Sequence, residues 1–276
     1  MESFCCTLKA EDDKADLHSQ PTGFRMIQKS KNLLGIGLYT PAEAALFARV
    51  RTQLITRWIF GDKKGKPVVR AQLADADDKI ITFLDLVQAL AIRAIRTQYP
   101  QISLNRIKKA ATNAERFSKI RYPFAMAHTT FVYYRGESND VLADEATPTD
   151  EDEDDDPICE IVLKNNANLT QVTGKKAGNM MIKEVAELYM TDLTFDESGM
   201  AMEYTPFQRD GLAVTLNPKK HFGQPLLPSN YTALALAEAA KTEGSIDAAA
   251  RVYGVDRKEV ELACGYFDFL QGPVTA

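Results

Sequence analysis

The sequence predicts a mainly α protein with small β elements, an α+β fold. A winged helix-turn-helix module lies in the first half, and a β-hairpin followed by three helices in the second. Two observations carry this. Capped runs with apolar residues at helical spacing dominate residues 40–117 and 232–270, while short runs such as Ile158–Leu163 and Ala213–Leu216 read as strands. The charge is also divided along the chain. From Phe24 to Arg135 there are 20 basic and 7 acidic residues, a balance of +13. From Asp140 to Asp156 there are 10 acidic residues and no basic one, and from Pro157 onward 11 basic and 15 acidic residues leave −4. The net charge of −5 over 276 residues therefore conceals a basic module, an acidic tether and a mildly acidic module.

The boundaries follow. Residues 1–23 are a polar arm with little to pack, expected to be flexible. Residues 24–138 form the basic domain, 139–157 the acidic linker and 158–276 the C-terminal domain. The linker has no apolar periodicity and repels itself, so it reads first as a solvated spacer. Its alternative role is a brake that lies over the basic module in competition with phosphate.

In the basic domain, Thr40-Pro41-Ala42-Glu43 is a helix start: Thr40 caps, Pro41 sits where a missing N–H costs nothing, and Glu43 completes a capping box. Ala44, Ala45 and Leu46 continue the helix with mostly small residues. After a break near Ala48–Arg51, Leu54, Ile55, Trp58 and Ile59 mark the buried face of a second helix, Thr52–Phe60, which Gly61 stops. Lysines at 63, 64 and 66 follow in a loop. Strand-like Val68–Gln72 and Ile80–Thr82 around a turn at Asp75–Asp78 would supply the wing. Thr82 caps an apolar helix from Phe83, and Ser103 caps an amphipathic one to Phe117 with Arg106, Lys108, Lys109 and Arg116 on its polar side. Tyr122–Tyr134 contains a short buried strand.

The second helix of such a pair can enter the DNA major groove. The candidate DNA-binding residues are Thr40, Arg49, Arg51, Thr52, Gln53, Thr56, Arg57, Lys63, Lys64 and Lys66. Arg and Gln read guanine and adenine edges, and Thr, Arg and Lys hold phosphates. The bland alternative is a solvated helical face, with Trp58 in the core.

In the C-terminal domain, Met180–Tyr189 reads as a short helix, Leu193–Phe195 and Met200–Tyr204 as a hairpin, and Thr232–Thr242, Ser245–Tyr253 and Asp256–Leu270 as helices, the last with Asp256 and Glu259 as a cap pair. That last helix carries acidic Glu259, Glu261 and Asp268, a face poor for phosphate and suited to protein. The candidate dimerisation or partner residues are Tyr253, Arg257, Glu259, Val260, Tyr266, Phe267 and Phe269. A second DNA reader is the alternative.

Several classes are disfavoured. No apolar run nears the roughly 20 residues that span a bilayer, and Met1–Ala15 is too charged for a signal peptide, so a cytoplasmic location is expected. Cys5, Cys6, Cys159 and Cys264 form no Cys-x-x-Cys pair, and His18, His128 and His221 are far apart, so neither metal nor other cofactor is expected. No Gly-rich phosphate loop or nucleophile elbow appears, and His128 and His221 read as structural, so no enzymatic activity is expected.

Tyr39-Thr-Pro-Ala-Glu-Ala-Ala45 through Arg57-Trp-Ile-Phe-Gly61 resembles the MerR-like helix-turn-helix of a subgroup of VapB-type antitoxins. Val214-Thr-Leu-Asn-Pro-Lys-Lys-His-Phe-Gly-Gln-Pro225, with Gly244–Ala263 after it, is similar to the small C-terminal domain of the same proteins. The chain departs from them in its acidic tether and in Leu226–Tyr231. The resemblance implies a bacterial antitoxin that neutralises a VapC-like PIN-domain ribonuclease and represses its own operon as a dimer on double-stranded operator DNA. The alternative is a MerR-like regulator without a toxin, using its C-terminal domain to dimerise or sense a ligand.

Overall fold

The computed structural model divides into two units, Met1–Lys31 and Asn32–Ala276. The residues it describes are 33–63, 65–127, 129–134, 158–165, 168–171, 183–184 and 192–273, all in the second unit. The arm at 1–23, the acidic linker at 139–157, Lys64 and His128 lie outside them. The fold is mixed α and β, with seven α-helices and small antiparallel sheets among the described residues.

Strand β1 (Leu38–Tyr39) leads into α1 (Pro41–Ala48) through the capping box the sequence encodes: Thr40 Oγ1 accepts from Glu43 N at 3.2 Å, and Glu43 Oε2 accepts from Thr40 N at 2.8 Å. Helix α1 ends where Arg49 turns left-handed (φ 50°), and α2 (Thr52–Phe60) starts from an extended Arg51. Ala44, Ala45 and Phe47 of α1 and Ile55, Trp58 and Ile59 of α2 are buried. Both helices pack on α3 (Phe83–Gln98), whose inner residues include buried Leu86, Leu90 and Ile95. Thr82 caps α3 in a second box with Asp85. Ser103 caps α4 (Leu104–Ser118).

The expected wing is absent. Val68–Gln72 forms no strand, because its amides are used elsewhere: Val68 N and Val69 N donate to the Trp58 carbonyl at the end of α2, at 2.8 and 3.2 Å, and Gln72 N donates to the Asp85 carboxylate at 3.0 Å. Strand β2 (Ile81–Thr82) pairs instead with β1.

Strand β3 (Thr129–Tyr134) pairs over its full length with β4 (Ile158–Asn165), Thr129 opposite Leu163 and Tyr134 opposite Ile158. This ladder joins residues on either side of the acidic stretch. Strand β5 (Asn168–Gln171) extends the sheet beyond β4, and β6 (Lys183–Glu184) beyond β3. Residues 183–184 are thus strand, not the helix expected for 180–189, because they take the free edge of β3.

The third sheet is ordered β10-β9-β8-β7, from β7 (Leu193–Phe195), β8 (Ala201–Arg209), β9 (Leu212–Leu216) and β10 (Pro225–Leu226). The hairpin expected at Asp196–Gly199 is present, and β8 runs further than expected, past Pro206. The β8–β9 register shifts between Tyr204 and Phe207, the place for a residue with no N–H to give a ladder. Helices α5 (Ala233–Thr242), α6 (Ile246–Tyr253) and α7 (Arg257–Gln271) follow, capped by Thr232, Ser245 and Asp256. The Asp256 and Glu259 pair forms no box: Asp256 Oδ1 accepts from Lys258 N, while Glu259 Oε2 accepts from Ser229 N at 3.0 Å.

One apolar core runs from Tyr39 to Leu270. Polar contacts reinforce it. The buried Tyr39 hydroxyl donates to the Gly223 carbonyl at 2.8 Å, and Ala127 N donates to the Gly199 carbonyl at 2.8 Å beside the Met126–Met200 bridge. Gly223 has φ +85°, and a Cβ there would lie 2.3 Å from the Tyr39 hydroxyl, so only glycine fits.

Candidate nucleic-acid interface

The amphipathicity of α2 decides which side chains it can offer. With Ile55, Trp58 and Ile59 turned into the core, Arg51, Thr52, Gln53 and Arg57 are exposed and Thr56 is half-buried. Residues of this face, together with Leu54, Phe60, Gly61, Asp62, Lys63 and Lys79, line an open concavity of about 850 Å³. Among the described residues, Arg51, Gln53, Arg57 and Lys63 make no side-chain hydrogen bond or ion pair. Their charge and hydrogen-bonding capacity are left for solvent or a ligand.

The loop beyond α2 is a tight turn. Asp62 N donates to the Gly65 carbonyl at 3.0 Å and Gly65 N to the Asp62 carbonyl at 3.3 Å. Gly61, at φ +77°, closes it, since a Cβ would meet the Gly65 carbonyl oxygen at 2.5 Å. This holds Lys63 and Lys66 exposed at the end of α2. Lys64 lies outside the described residues. Lys79, far along the chain, brings its ammonium within 5.9 Å of the Phe60 ring centre and adds a cation that the linear pattern did not single out.

Two of the expected DNA contacts serve the fold. The Thr40 hydroxyl both donates to and accepts from Glu43, so the cap uses its single donor. Arg49 stacks its guanidinium 4.1 Å from the centre of the Phe269 ring and donates from Nη2 to the Pro273 carbonyl at 3.1 Å. Arg93, inside the apolar run of α3, donates from Nη1 to the Ala48 carbonyl at 2.8 Å, and burial lowers its pKa. These arginines brace the α1–α2 turn from below and leave the outer face to Arg51 and Arg57.

The expected partner residues divide in the same way. Val260 and Tyr266 are fully buried and Phe269 is half-buried, packed between Phe207, Tyr266 and Arg49, so these three build the core rather than a docking surface. The reason is that α7 lies on β8 and α5 and buries the face assigned to a partner. Glu259 is committed to Ser229 N. Phe267 is half-buried under the Lys241 ammonium, 3.9 Å from its ring centre. Tyr253 meets Tyr231 edge to face, and Arg257 bridges Asp247 and Glu261 in the open.

Among the described residues, no group of three metal-ligating side chains could hold an ion, and no helix is long and apolar enough to cross a membrane. Cys264 is a free, half-buried thiol whose pKa burial raises.

The fold and this surface define an α+β protein with an unpaired cationic helix face. No family model matches the chain, and no curated protein matches it. Among solved structures it is similar to the X-ray crystal structure of Rv2018 from Mycobacterium tuberculosis, at 17% identity and a TM-score of 0.49, over 84% of this chain and 99% of that one.

Proposed function

We propose that this protein binds double-stranded DNA through α2, as the helix-turn-helix half of a VapB-type antitoxin that represses its own operon. The observation that carries the reading is the uncommitted face of Arg51, Gln53 and Arg57, continued by Lys63 and Lys66. A nine-residue helix is about 13 Å long and fits the major groove, which is about 12 Å wide. There Gln53 would meet an adenine edge, Arg51 or Arg57 a guanine edge or a phosphate, and the loop lysines phosphates. A homodimer would present two such helices to half-sites about one turn apart.

The experiment is a titration of the full chain on its own promoter DNA and on random DNA at two salt concentrations. Four phosphate contacts predict a loss of about 100-fold in affinity between 50 and 200 mM salt, with tighter binding to the promoter. Equal, salt-insensitive binding to both would sink the proposal. The toxin half is tested by co-purification with the product of the adjacent gene, expected to be a PIN-type ribonuclease.

A second reading, a MerR-like regulator without a toxin, is favoured by one observation: the burial of Val260, Tyr266 and Phe269 leaves α7 little apolar surface for a partner. Under the antitoxin reading the docking surface would move to Tyr253, Tyr231 and Val252, of which Val252 is 63% exposed.

A further inference from the structure

The segment that follows α2 is fixed between two helices. Val68 N and Val69 N donate to the Trp58 carbonyl at 2.8 and 3.2 Å, and the Lys108 ammonium of α4 donates to the Lys66 carbonyl at 3.3 Å. A cleft of about 240 Å³ lies between residues 66–70 and α4. Buried Val68, Val69, Ala111 and Pro123 supply its apolar wall. The same cleft carries four cations, Lys66, Arg70, Lys108 and Arg121, against the single carboxylate of Glu115. Lys66, Arg70 and Arg121 are exposed and Lys108 is half-buried. Among the described residues, Lys66 and Arg70 make no side-chain hydrogen bond or ion pair. A cleft lined by one sign of charge over low-dielectric walls focuses its field and concentrates counter-ions.

The cleft lies next to the exposed face of α2. The concavity on that face extends along the chain to Lys63, and the cleft begins at Lys66. Only the tight turn at Asp62–Gly65 separates them, and the ends of such a turn are within about 7 Å, roughly two steps of one DNA strand at ~3.4 Å each. Two cationic surfaces therefore flank one turn. We infer that this cleft holds the sugar-phosphate backbone of double-stranded DNA beside the groove that α2 enters, a role that rests on the proposed binding of DNA by α2 and adds to it. Three of the four cations are exposed, which suits a polyanion laid across the rim rather than a small anion enclosed within. Such a contact carries affinity and register without reading sequence.

Titration of the full chain with promoter DNA and with a random duplex of equal length, at 50 and 200 mM salt, tests this. Arg70→Ala should weaken both duplexes alike, several-fold at the lower salt. It should also shrink the fall in affinity between the two salts by about 3-fold, the effect of one lost phosphate contact. The preference for the promoter should stay as it is, because a phosphate contact carries no sequence information. Arg70→Lys, which keeps the charge, should restore the salt dependence. Thr112→Glu adds a carboxylate to the cleft from an exposed position on α4 and should weaken both duplexes in the same way; it carries the test if Arg70→Ala fails to fold. Wild-type affinity and salt dependence in Arg70→Ala and Thr112→Glu, with Arg51→Ala or Arg57→Ala still weakened, overturns the inference and leaves the reading of α2 standing. Losses in the two cleft variants beside wild-type binding in Arg51→Ala and Arg57→Ala would instead overturn the reading of α2 and keep the cleft as a DNA contact. A protein that binds neither duplex overturns both.

Discussion

The Arg49 guanidinium lies 4.1 Å from the centre of the Phe269 ring and donates to the Pro273 carbonyl just beyond it. The turn between α1 and α2 is thereby held by the end of α7. Because Arg49 itself turns left-handed to start the break (φ 50°), its side chain and its backbone act on the same feature. The orientation of α2 depends on a contact made 220 residues further along the chain.

Arg49→Ala and Phe269→Ala should each destabilise the protein by about 1–3 kcal/mol, and the double variant by less than their sum, with a coupling of about 0.5–2 kcal/mol. Urea denaturation of the four proteins checks this. Strict additivity would mean that the stacking contributes nothing.

The Tyr39 hydroxyl and the Gly223 carbonyl form a second long-range tie, 2.8 Å long and buried. Tyr39→Phe keeps the ring, which packs edge to face on Phe47 at 5.7 Å, and removes only the donor. A loss of about 1–2 kcal/mol is expected from the carbonyl left unpaired. Gly223→Ala should cost more, since its Cβ would meet that hydroxyl at 2.3 Å in a left-handed backbone. Thermal denaturation ranks the two, and the opposite order would contradict the geometry.

Asp85 gives the fold a pH dependence. Its carboxylate caps α3 and accepts from Gln72 N, but burial pushes its pKa up to about 6, against the lowering pull of hydrogen bonds from Thr82 and Gln72. Folded Asp85 therefore holds its proton more tightly than unfolded Asp85, and stability should rise as pH falls through 6. Between pH 7 and pH 5 the gain is about 1 kcal/mol. Asp85→Asn should remove this increment, measured as the difference between the two proteins' urea midpoints at the two pH values. An identical pH response in both would show that Asp85 does not titrate there.

The sequence made much of this legible. Helices α1, α3 and α4 and the three C-terminal helices could be placed because capping residues such as Thr40, Thr82, Ser103 and Ser245 announce their starts locally. The buried face of α2 was equally legible from Leu54, Ile55, Trp58 and Ile59. The wing failed because Val68–Gln72 has strand-like composition, while its amides are claimed by the Trp58 carbonyl and the Asp85 carboxylate, partners that only the tertiary fold supplies. Arg49 was indistinguishable from Arg51 in sequence, since nothing local shows that Phe269 will lie beside one of them. An Arg at position 93 within a Leu- and Ile-rich helix was a usable signal of an internal role. The apolar and aromatic residues of α7 read locally as a partner's surface, because the strand that covers them, with Phe207, extends beyond the end its sequence suggests.

We propose that the exposed face of α2 holds DNA. The most direct test is the affinity of Arg51→Ala and Arg57→Ala for promoter DNA across a range of salt, beside Arg49→Ala. A loss of about 1–3 kcal/mol is expected for Arg51 or Arg57 where it reads a base, or a salt slope reduced by about 1 where it holds a phosphate. Arg49→Ala, once its stability loss is allowed for, should leave that slope unchanged. Wild-type affinity and slope in both the Arg51 and Arg57 variants would contradict it.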